Sequence, residues 1–196
     1  MLALLNQLAV SFDLPILDWI QANLQCGFLD TIMPIITLFG DGGIFWIACS
    51  LLLFALPKTR KTGLGMLIAL VLGLLVCNVT LKPLVGRPRP YTFQEEQFGI
   101  HIALLVEGLK DFSFPSGHTI ASFEAAGVLL INSKKLGIPA MILAVLIALS
   151  RLYLYVHYPT DVIFSVFAGL LFAVIGNAIA QRISLPTGKK GKFEAK

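Results

Sequence analysis

The sequence predicts an all-α, polytopic membrane protein, and three observations support that fold class. Of the 196 residues, 57% are hydrophobic and only 13% are charged. The mean hydropathy of +0.84 is well above what a surface in contact with water permits. Several apolar stretches approach the roughly 20 residues that a helix needs to cross a bilayer. We therefore expect one domain, residues 1–196, folded as a transmembrane helical bundle with an N-terminal interfacial helix and an external cap loop.

The N-terminal segment, residues 1–27, is predicted to lie along the membrane interface. Its apolar positions are interrupted by Asp13, Pro15, Asp18 and Trp19. Acidic residues within an apolar run disfavour its insertion across the hydrocarbon core, whereas an amphipathic helix at the interface accommodates them.

The first span is predicted over Thr31–Leu56. The apolar run Ile44–Leu56 is too short to cross a bilayer by itself, so the span has to include the residues before it. Those residues contain Gly40-Asp41-Gly42-Gly43, where we expect a kink or a break in the helix near the outer surface.

Four later stretches complete a bundle of about five spans. Three of them are long and apolar enough without further assumption: Gly63–Leu81, Ile138–Tyr155 and Thr160–Ala180. The fourth, Thr119–Ile131, is shorter and contains Glu124, but it becomes a span if the helix runs from Ser116 to Ser133.

The basic residues predict the orientation, because Lys and Arg are retained on the cytoplasmic side. Ten of the 15 lie on one side of the predicted spans: Lys58, Arg60, Lys61, Lys134, Lys135, Arg182, Lys189, Lys190, Lys192 and Lys196. That side, with the basic tail 185–196, is predicted to be cytoplasmic. Segment 83–115 then lies outside, where its prolines and glycines indicate a cap loop.

Three sequence motifs lie at the predicted outer edge. They are Lys82-Pro83-Leu84-Val85-Gly86-Arg87-Pro88-Arg89-Pro90, then Pro115-Ser116-Gly117-His118, then Ser150-Arg151 followed by His157 and Asp161. Together they match the patterns K-x6-R-P, P-S-G-H and S-R-x5-H-x3-D. From Lys82 to Asp161 the chain therefore resembles the type 2 phosphatidic acid phosphatase superfamily.

The resemblance implies a phosphatase in which His157 attacks phosphorus and His118 protonates the leaving oxygen. It also implies that Lys82, Arg89 and Arg151 hold the phosphoryl oxygens. The chemistry agrees, since fixed cations in a partly dehydrated site stabilise the charge of a transferring phosphoryl group, as a metal does elsewhere. We expect neither a metal nor another cofactor.

Ser116 and Gly117 are predicted to add backbone and hydroxyl contacts to phosphate. Ser116 stands at the N-cap position of the predicted helix, and helix N-termini present free N–H groups to anions. An ordinary N-cap with a histidine at the interface is the alternative interpretation of this motif.

Asp161 follows His157 by four residues, and Pro159 favours a helix start between them. This spacing would let the carboxylate hold one ring nitrogen, which frees the other for attack. The alternative is an acid that only complements the helix dipole. For Arg151 the alternative is a cation that extends to the interface, and Arg87 and Lys110 are expected only to attract anions.

Glu124 is not explained by the motifs. It lies about two turns into its helix, where an unpaired carboxylate is unfavourable. We expect it to be protonated, paired or in contact with a polar cavity. It is either proton-linked to the site or a buried acid of structural use.

The resemblance and the predicted topology favour a membrane lipid phosphate as substrate, above all polyprenyl (undecaprenyl) diphosphate. Phosphatidylglycerophosphate and phosphatidic acid are alternatives, as are a soluble sugar phosphate, vanadate-dependent peroxidase chemistry, and a non-catalytic lipid-phosphate binder or transporter. Nucleic acid is disfavoured because the basic residues alternate with apolar spans. The expected location is the plasma or inner membrane, with the active site on the extracytoplasmic face.

Overall fold

The computed structural model describes residues 2–184, and all regular structure in that part is helical, which confirms the predicted fold class. The predicted basic tail, 185–196, lies outside the described residues. The α-helices are α1 (Leu2–Leu8), α2 (Leu14–Leu24), α3 (Gly27–Leu38), α4 (Ile44–Ala55), α5 (Arg60–Gly73), α6 (Lys82–Val85), α7 (Pro90–Phe98), α8 (Gly117–Asn132), α9 (Lys134–Tyr153) and α10 (Pro159–Arg182). Two π-helical segments, Ala9–Asp13 and Leu74–Leu81, join α1 to α2 and α5 to α6.

Four stretches of the described chain are long and apolar enough to cross a membrane: Gly27–Ala55, Arg60–Phe98, Lys134–Tyr153 and Pro159–Arg182. The protein is therefore a multi-pass membrane protein. The fifth predicted span corresponds to α8, which has 16 residues. At 1.5 Å per residue α8 is about 24 Å long, less than a hydrocarbon core of about 30 Å. A count of five spans stays a prediction.

The predicted break in the first span is confirmed. A single 3₁₀ turn, Asp41–Gly43, separates α3 from α4. Gly42 and Gly43 have φ angles of 56° and 66°, in a region that side chains with a Cβ rarely adopt. The helix before the break begins at Gly27, four residues earlier than the sequence predicted.

Small residues bring the central helices close together. A Cβ on Gly176 of α10 would lie 2.6 Å from the backbone oxygen of Gly65 in α5. A Cβ on Gly169 of α10 would lie 2.9 Å from the backbone oxygen of Ile120 in α8. Such close approach is typical of helix packing in membranes. It fixes α8 between its neighbours, and with it the position of the Ser116-Gly117-His118 motif at its N-terminus.

The N-terminal segment packs on the end of the bundle where the three motifs meet, which we call the motif end. Gln21 donates a hydrogen bond of 2.8 Å to the backbone oxygen of Tyr153, and the Tyr155 hydroxyl donates one of 2.5 Å to Asp18. Leu14 and Leu17 are buried against aromatic residues of the motif end. The first of the four candidate spans begins at Gly27, where this segment ends, and the position of the segment along the membrane interface stays a prediction.

Segment 83–115, predicted as a cap loop, also lies at the motif end and is partly helical. It contains α7, which begins at Pro90 and ends before Gly99, a residue with a φ of 67°. Proline is favoured in a first helical turn and glycine just past a helix end. The remainder returns across the motif end and brings Asp111 and Ser113 to the motif residues.

Candidate active site

One cavity of about 420 Å³ brings residues of all three motifs together. At the motif end its wall contains Lys82, Arg89, Gly117, His118 and His157. The same cavity continues between the helices, where its wall is largely apolar and includes Ile47, Leu67, Leu70, Val71 and Leu74. The cavity is therefore cationic and histidine-bearing at one end and apolar at the other.

His157 lies in the short link between α9 and α10 and is 1% exposed. Its Nε2 is 3.3 Å from Nη1 of Arg89. A guanidinium can only donate, so Nε2 is the accepting nitrogen and its lone pair faces the cationic end of the cavity. Burial, followed by the charges of Arg89, Arg151 and Lys82, lowers the pKa of His157 well below its ordinary value. The ring is therefore neutral, the form that a nucleophile requires.

Asp161 lies beside the other nitrogen of His157, as the four-residue spacing predicts, but no hydrogen bond joins them. Its Oδ2 is 3.6 Å from Nδ1, and this nitrogen has no hydrogen-bond partner among the described residues. The reason is that Oδ2 already accepts from the Ser113 hydroxyl at 2.5 Å and from the Tyr158 N–H at 3.1 Å. The role of Asp161 in orienting His157 stays a prediction.

Arg87 contradicts the expectation that it only attracts anions. Its guanidinium is 1% exposed and lies between two fully buried carboxylates, with 2.5 Å to Asp161 and 2.7 Å to Asp13. It also stacks 3.7 Å from the ring centre of Tyr158. Asp13 in turn accepts from the backbone N–H and the hydroxyl of Thr160 at 2.9 and 2.8 Å.

We call this buried group, formed by Asp13, Arg87, Thr160 and Asp161, the aspartate network. It ties the N-terminal segment to the carboxylate next to His157. The sequence contained one signal for it, because Asp13 is the only charged residue in the apolar run Val10–Leu17. An acid in such a run needs a buried partner, but the sequence did not indicate which basic residue provides it.

Lys82 and Arg89 are both paired with Asp111, a residue that the sequence analysis did not single out. The two carboxylate oxygens accept from Lys82 Nζ at 2.6 Å and from Arg89 Nη2 at 2.5 Å. Partial burial alone raises the pKa of Asp111, but the hydrogen bonds from these cations outweigh it and lower the pKa to about 2. The ionised Asp111 carboxylate is thus bound to the two cations that we expect to bind phosphate.

Arg151 and Ser116 are near the cavity but do not line it. Arg151 is 2% exposed and donates to the hydroxyl of Thr37 at 2.5 Å, so it does not extend to the interface. Ser116 occupies the predicted N-cap position, yet its hydroxyl pairs with that of Thr119 at 3.0 Å instead of capping the helix. Direct contact of either residue with phosphate stays a prediction.

Glu124 lines the deeper part of the cavity. It is 1% exposed, and its Oε1 has no hydrogen-bond partner among the described residues. The carboxylate lies against Gly73, where any Cβ would overlap with it. The structure therefore brings Glu124 to the cavity, while the choice between a proton-linked and a structural role stays open.

The described chain is a multi-pass helical bundle with a cavity that is cationic and histidine-bearing at one end and apolar at the other, the arrangement expected of a membrane phosphatase. The model of the PAP2 superfamily matches residues 62–184, and the chain belongs to this superfamily. The match begins after α4, so it excludes the N-terminal part that contains Asp13.

Similarity to known proteins supports this membership. The chain is 32% identical over 155 residues to an undecaprenyl-diphosphatase of Sulfolobus acidocaldarius, covering 79% of this chain and 71% of the relative. It is 28% identical over 147 residues to undecaprenyl-diphosphatase BcrC of Bacillus subtilis, covering 75% and 72%. Its fold is similar to the crystal structure of a transmembrane PAP2 type phosphatidylglycerolphosphate phosphatase from Bacillus subtilis, with a TM-score of 0.68, 28% identity and coverage of 87% and 85%.

Proposed function

We propose that this phosphatase, acting as a single membrane domain, hydrolyses a lipid phosphate or diphosphate without a metal ion, through a phosphohistidine on His157. The observation that carries the proposal is the cavity, whose cationic end suits a phosphate group and whose apolar end suits a lipid chain. Lys82, Arg89 and Arg151 supply the charge that stabilises the transferring phosphoryl group.

The proposed reaction has two steps. The Nε2 lone pair of His157 attacks phosphorus, the bond to the leaving oxygen breaks, and His118 gives that oxygen its proton. His118, now neutral, then takes a proton from water, whose oxygen attacks the phosphohistidine and releases phosphate and free His157. Asp161 stabilises the charge that His157 carries while it is phosphorylated.

Undecaprenyl diphosphate is the substrate that we favour, because two similar proteins are named for it. A panel in detergent would compare it with phosphatidylglycerophosphate, phosphatidic acid and glucose 6-phosphate. We expect the highest kcat/KM for the polyprenyl diphosphate. Preference for a glycerolipid would change the substrate, and binding without release of phosphate would leave a lipid-phosphate binder or transporter.

Metal independence follows from the three cations and has a direct test. The purified phosphatase should keep its activity in excess chelator, and orthovanadate should inhibit it by imitating the five-coordinate phosphoryl group. An enzyme that is inactive in chelator and restored by magnesium would contradict the proposal.

We also propose that the protein lies in the plasma or inner membrane with its active site on the extracytoplasmic face. The distribution of basic residues supports this orientation. In a background without Cys26, Cys49 and Cys77, an impermeant thiol reagent added to intact cells should label Glu96→Cys. It should label Lys135→Cys only after permeabilisation. The reverse pattern would place the site in the cytoplasm.

Glu124 is proposed to be proton-linked to the same site, since its carboxylate lines the cavity and has an unpaired oxygen. Glu124→Gln keeps the shape of the side chain but removes its titration. We expect an altered pH–rate profile at unchanged thermal stability. An unchanged profile would leave Glu124 with a structural role.

A further inference from the structure

The break between α3 and α4 brings a carboxylate to His118. Oδ1 of Asp41 is 2.5 Å from Nε2 of the histidine, so the two groups are in direct hydrogen-bonding contact. The two residues are 77 positions apart and belong to different elements. Asp41 also precedes residues 62–184, the part of the chain that the superfamily model matches.

The glycines around Asp41 fit the histidine closely. A Cβ on Gly40 would lie 2.7 Å from Cδ2 of His118, nearer than real Cβ atoms approach such an atom. Gly42 and Gly43 have positive φ angles that other residues adopt only with strain. The run Gly40-Asp41-Gly42-Gly43 therefore breaks the helix, leaves room for the imidazole and brings an acid to it.

We propose that Asp41 is the positioning residue of the general acid, a role that rests on the proposed function. Nε2–H of His118 donates to the Asp41 carboxylate, which leaves Nδ1 as the nitrogen that exchanges a proton with the leaving oxygen. In the first step Nδ1–H goes to that oxygen and the ring becomes neutral. In the second step Nδ1 takes a proton from water, and Nε2–H stays on Asp41 throughout.

Charge makes this contact necessary. Burial and the charges of Arg151 and Lys82 disfavour the protonated form of the His118 ring, whereas the hydrogen bond and the charge of Asp41 favour it. The two cations are required for phosphate, yet they oppose the protonated imidazole that a general acid needs. Asp41 is the carboxylate in contact with the ring, so it offsets part of this opposition while His118 remains next to the cations.

The test compares Asp41→Asn with Glu107→Gln, which removes one negative charge from an exposed position at the same end of the bundle. Asp41→Asn should reduce kcat/KM for phosphatidic acid, a monoester whose alkoxide is a poor leaving group, about 10- to 100-fold, part of the range that general acid catalysis contributes. It should change kcat/KM for an activated aryl phosphate less than about twofold, because that group leaves without a proton. Glu107→Gln should leave kcat/KM unchanged for both substrates.

Two further measurements separate positioning from simple structural support. The alkaline limb of the kcat/KM profile should move to lower pH in Asp41→Asn, because the protonated ring has lost its counter-charge while Arg151 and Lys82 remain. Gly40→Ala should displace the His118 ring without straining the backbone, because the φ of Gly40 is one that alanine adopts readily. Like Asp41→Asn, it should reduce kcat/KM for the lipid phosphate and leave that for the aryl phosphate nearly unchanged. Both variants should keep the wild-type melting temperature.

Equal losses on lipid and aryl phosphates in Asp41→Asn would overturn the proposal, and so would a lower KM at unchanged kcat, which would mean that substrate simply displaces Asp41. His118→Ala distinguishes this failure from failure of the proposed function. If His118→Ala discriminates between leaving groups and Asp41→Asn does not, the general acid stands and its positioning residue is wrong. If His118→Ala does not discriminate either, the proposed function itself fails.

Discussion

The two histidines of the active site are held in opposite ways. His157 lies next to the aspartate network, in which Arg87, Asp13 and Asp161 have side chains no more than 1% exposed. His118 is held by Asp41, whose side chain is 51% exposed, and the nearby cation Lys82 is held by Asp111, which is 52% exposed. Removing one partner of a buried ion pair strongly destabilises the folded protein, whereas an exposed ion pair contributes little to its stability. The nucleophile therefore lies beside a buried, fixed network, whereas the carboxylates beside His118 and Lys82 are half exposed, and we expect substrate to displace the one that pairs with cations of the phosphate site, Asp111.

The sharpest test of this contrast is His157→Ala, which should abolish turnover of every substrate, aryl phosphates included. Neither the cations nor His118 can form the bond that His157 makes to phosphorus. Release of phosphate from a lipid diphosphate and from an aryl phosphate measures the effect. His101→Ala, at a histidine with an 81% exposed side chain, is the control and should behave as wild type.

His118→Ala should lose activity selectively, by about 10²–10⁴-fold for a lipid ester, because only a poor leaving group needs the proton. The variant should still form phosphohistidine from an activated aryl ester. Because His118 also activates the water in the proposed second step, this phosphoenzyme should accumulate and appear as an acid-sensitive, base-stable label. A label trapped in His157→Ala, with none in His118→Ala from any ester, would invert the two roles.

Arg87→Gln tests the buried side through stability. The change leaves the carboxylates of Asp13 and Asp161 without their shared cation, and removing one partner of a buried pair typically destabilises by about 3–5 kcal/mol. We expect a lower melting temperature in detergent together with a lower kcat, since Asp161 loses its anchor next to His157. Lys110→Gln, an exposed cation of the same segment, is the matched control.

The stability effect in Arg87→Gln should be partly reversed when Asp13→Asn is added, because the double variant leaves fewer unpaired charges in the buried site. Full stability in Arg87→Gln alone would contradict the contrast between the two sides. It would mean that the aspartate network contributes no more than an exposed pair.

The sequence predicted the residues that line the cavity better than the residues that hold them in place. Lys82, Arg89, His118 and His157 could be picked out because they stand in the three motifs that carry the resemblance to the superfamily, and the structure brings them to one cavity. Helices were predicted from apolar length, and the glycine run Gly40–Gly43 marked the break.

Residues that support the site were missed because their partners are distant in sequence. Asp13 and Arg87 are 74 positions apart, and so are Arg87 and Asp161. No local pattern encodes such a pair, since it depends on how the N-terminal segment packs on the bundle. Asp41 was identified only as part of a kink, because its histidine partner lies on another helix.

Asp111→Asn has the smallest expected effect and tests whether contacts on the leaving-group side give way to substrate. The Asp111 carboxylate occupies Lys82 and Arg89, so phosphate has to displace it before binding. Because the carboxylate is half exposed, solvent screens the pair, and removing its charge should lower KM only about two- to fivefold. Kinetics in detergent would show this, with Glu107→Gln as the charge control.

The pKa of Asp111 is lowered to about 2, so the ion pair is fully formed above the ordinary aspartate pKa and is lost only as pH falls towards 2. The fall in KM should therefore be the same at pH 5 and pH 8. A higher KM in Asp111→Asn would show instead that Asp111 orders the two cations for phosphate, and the leaving-group side would then be as fixed as the nucleophile side.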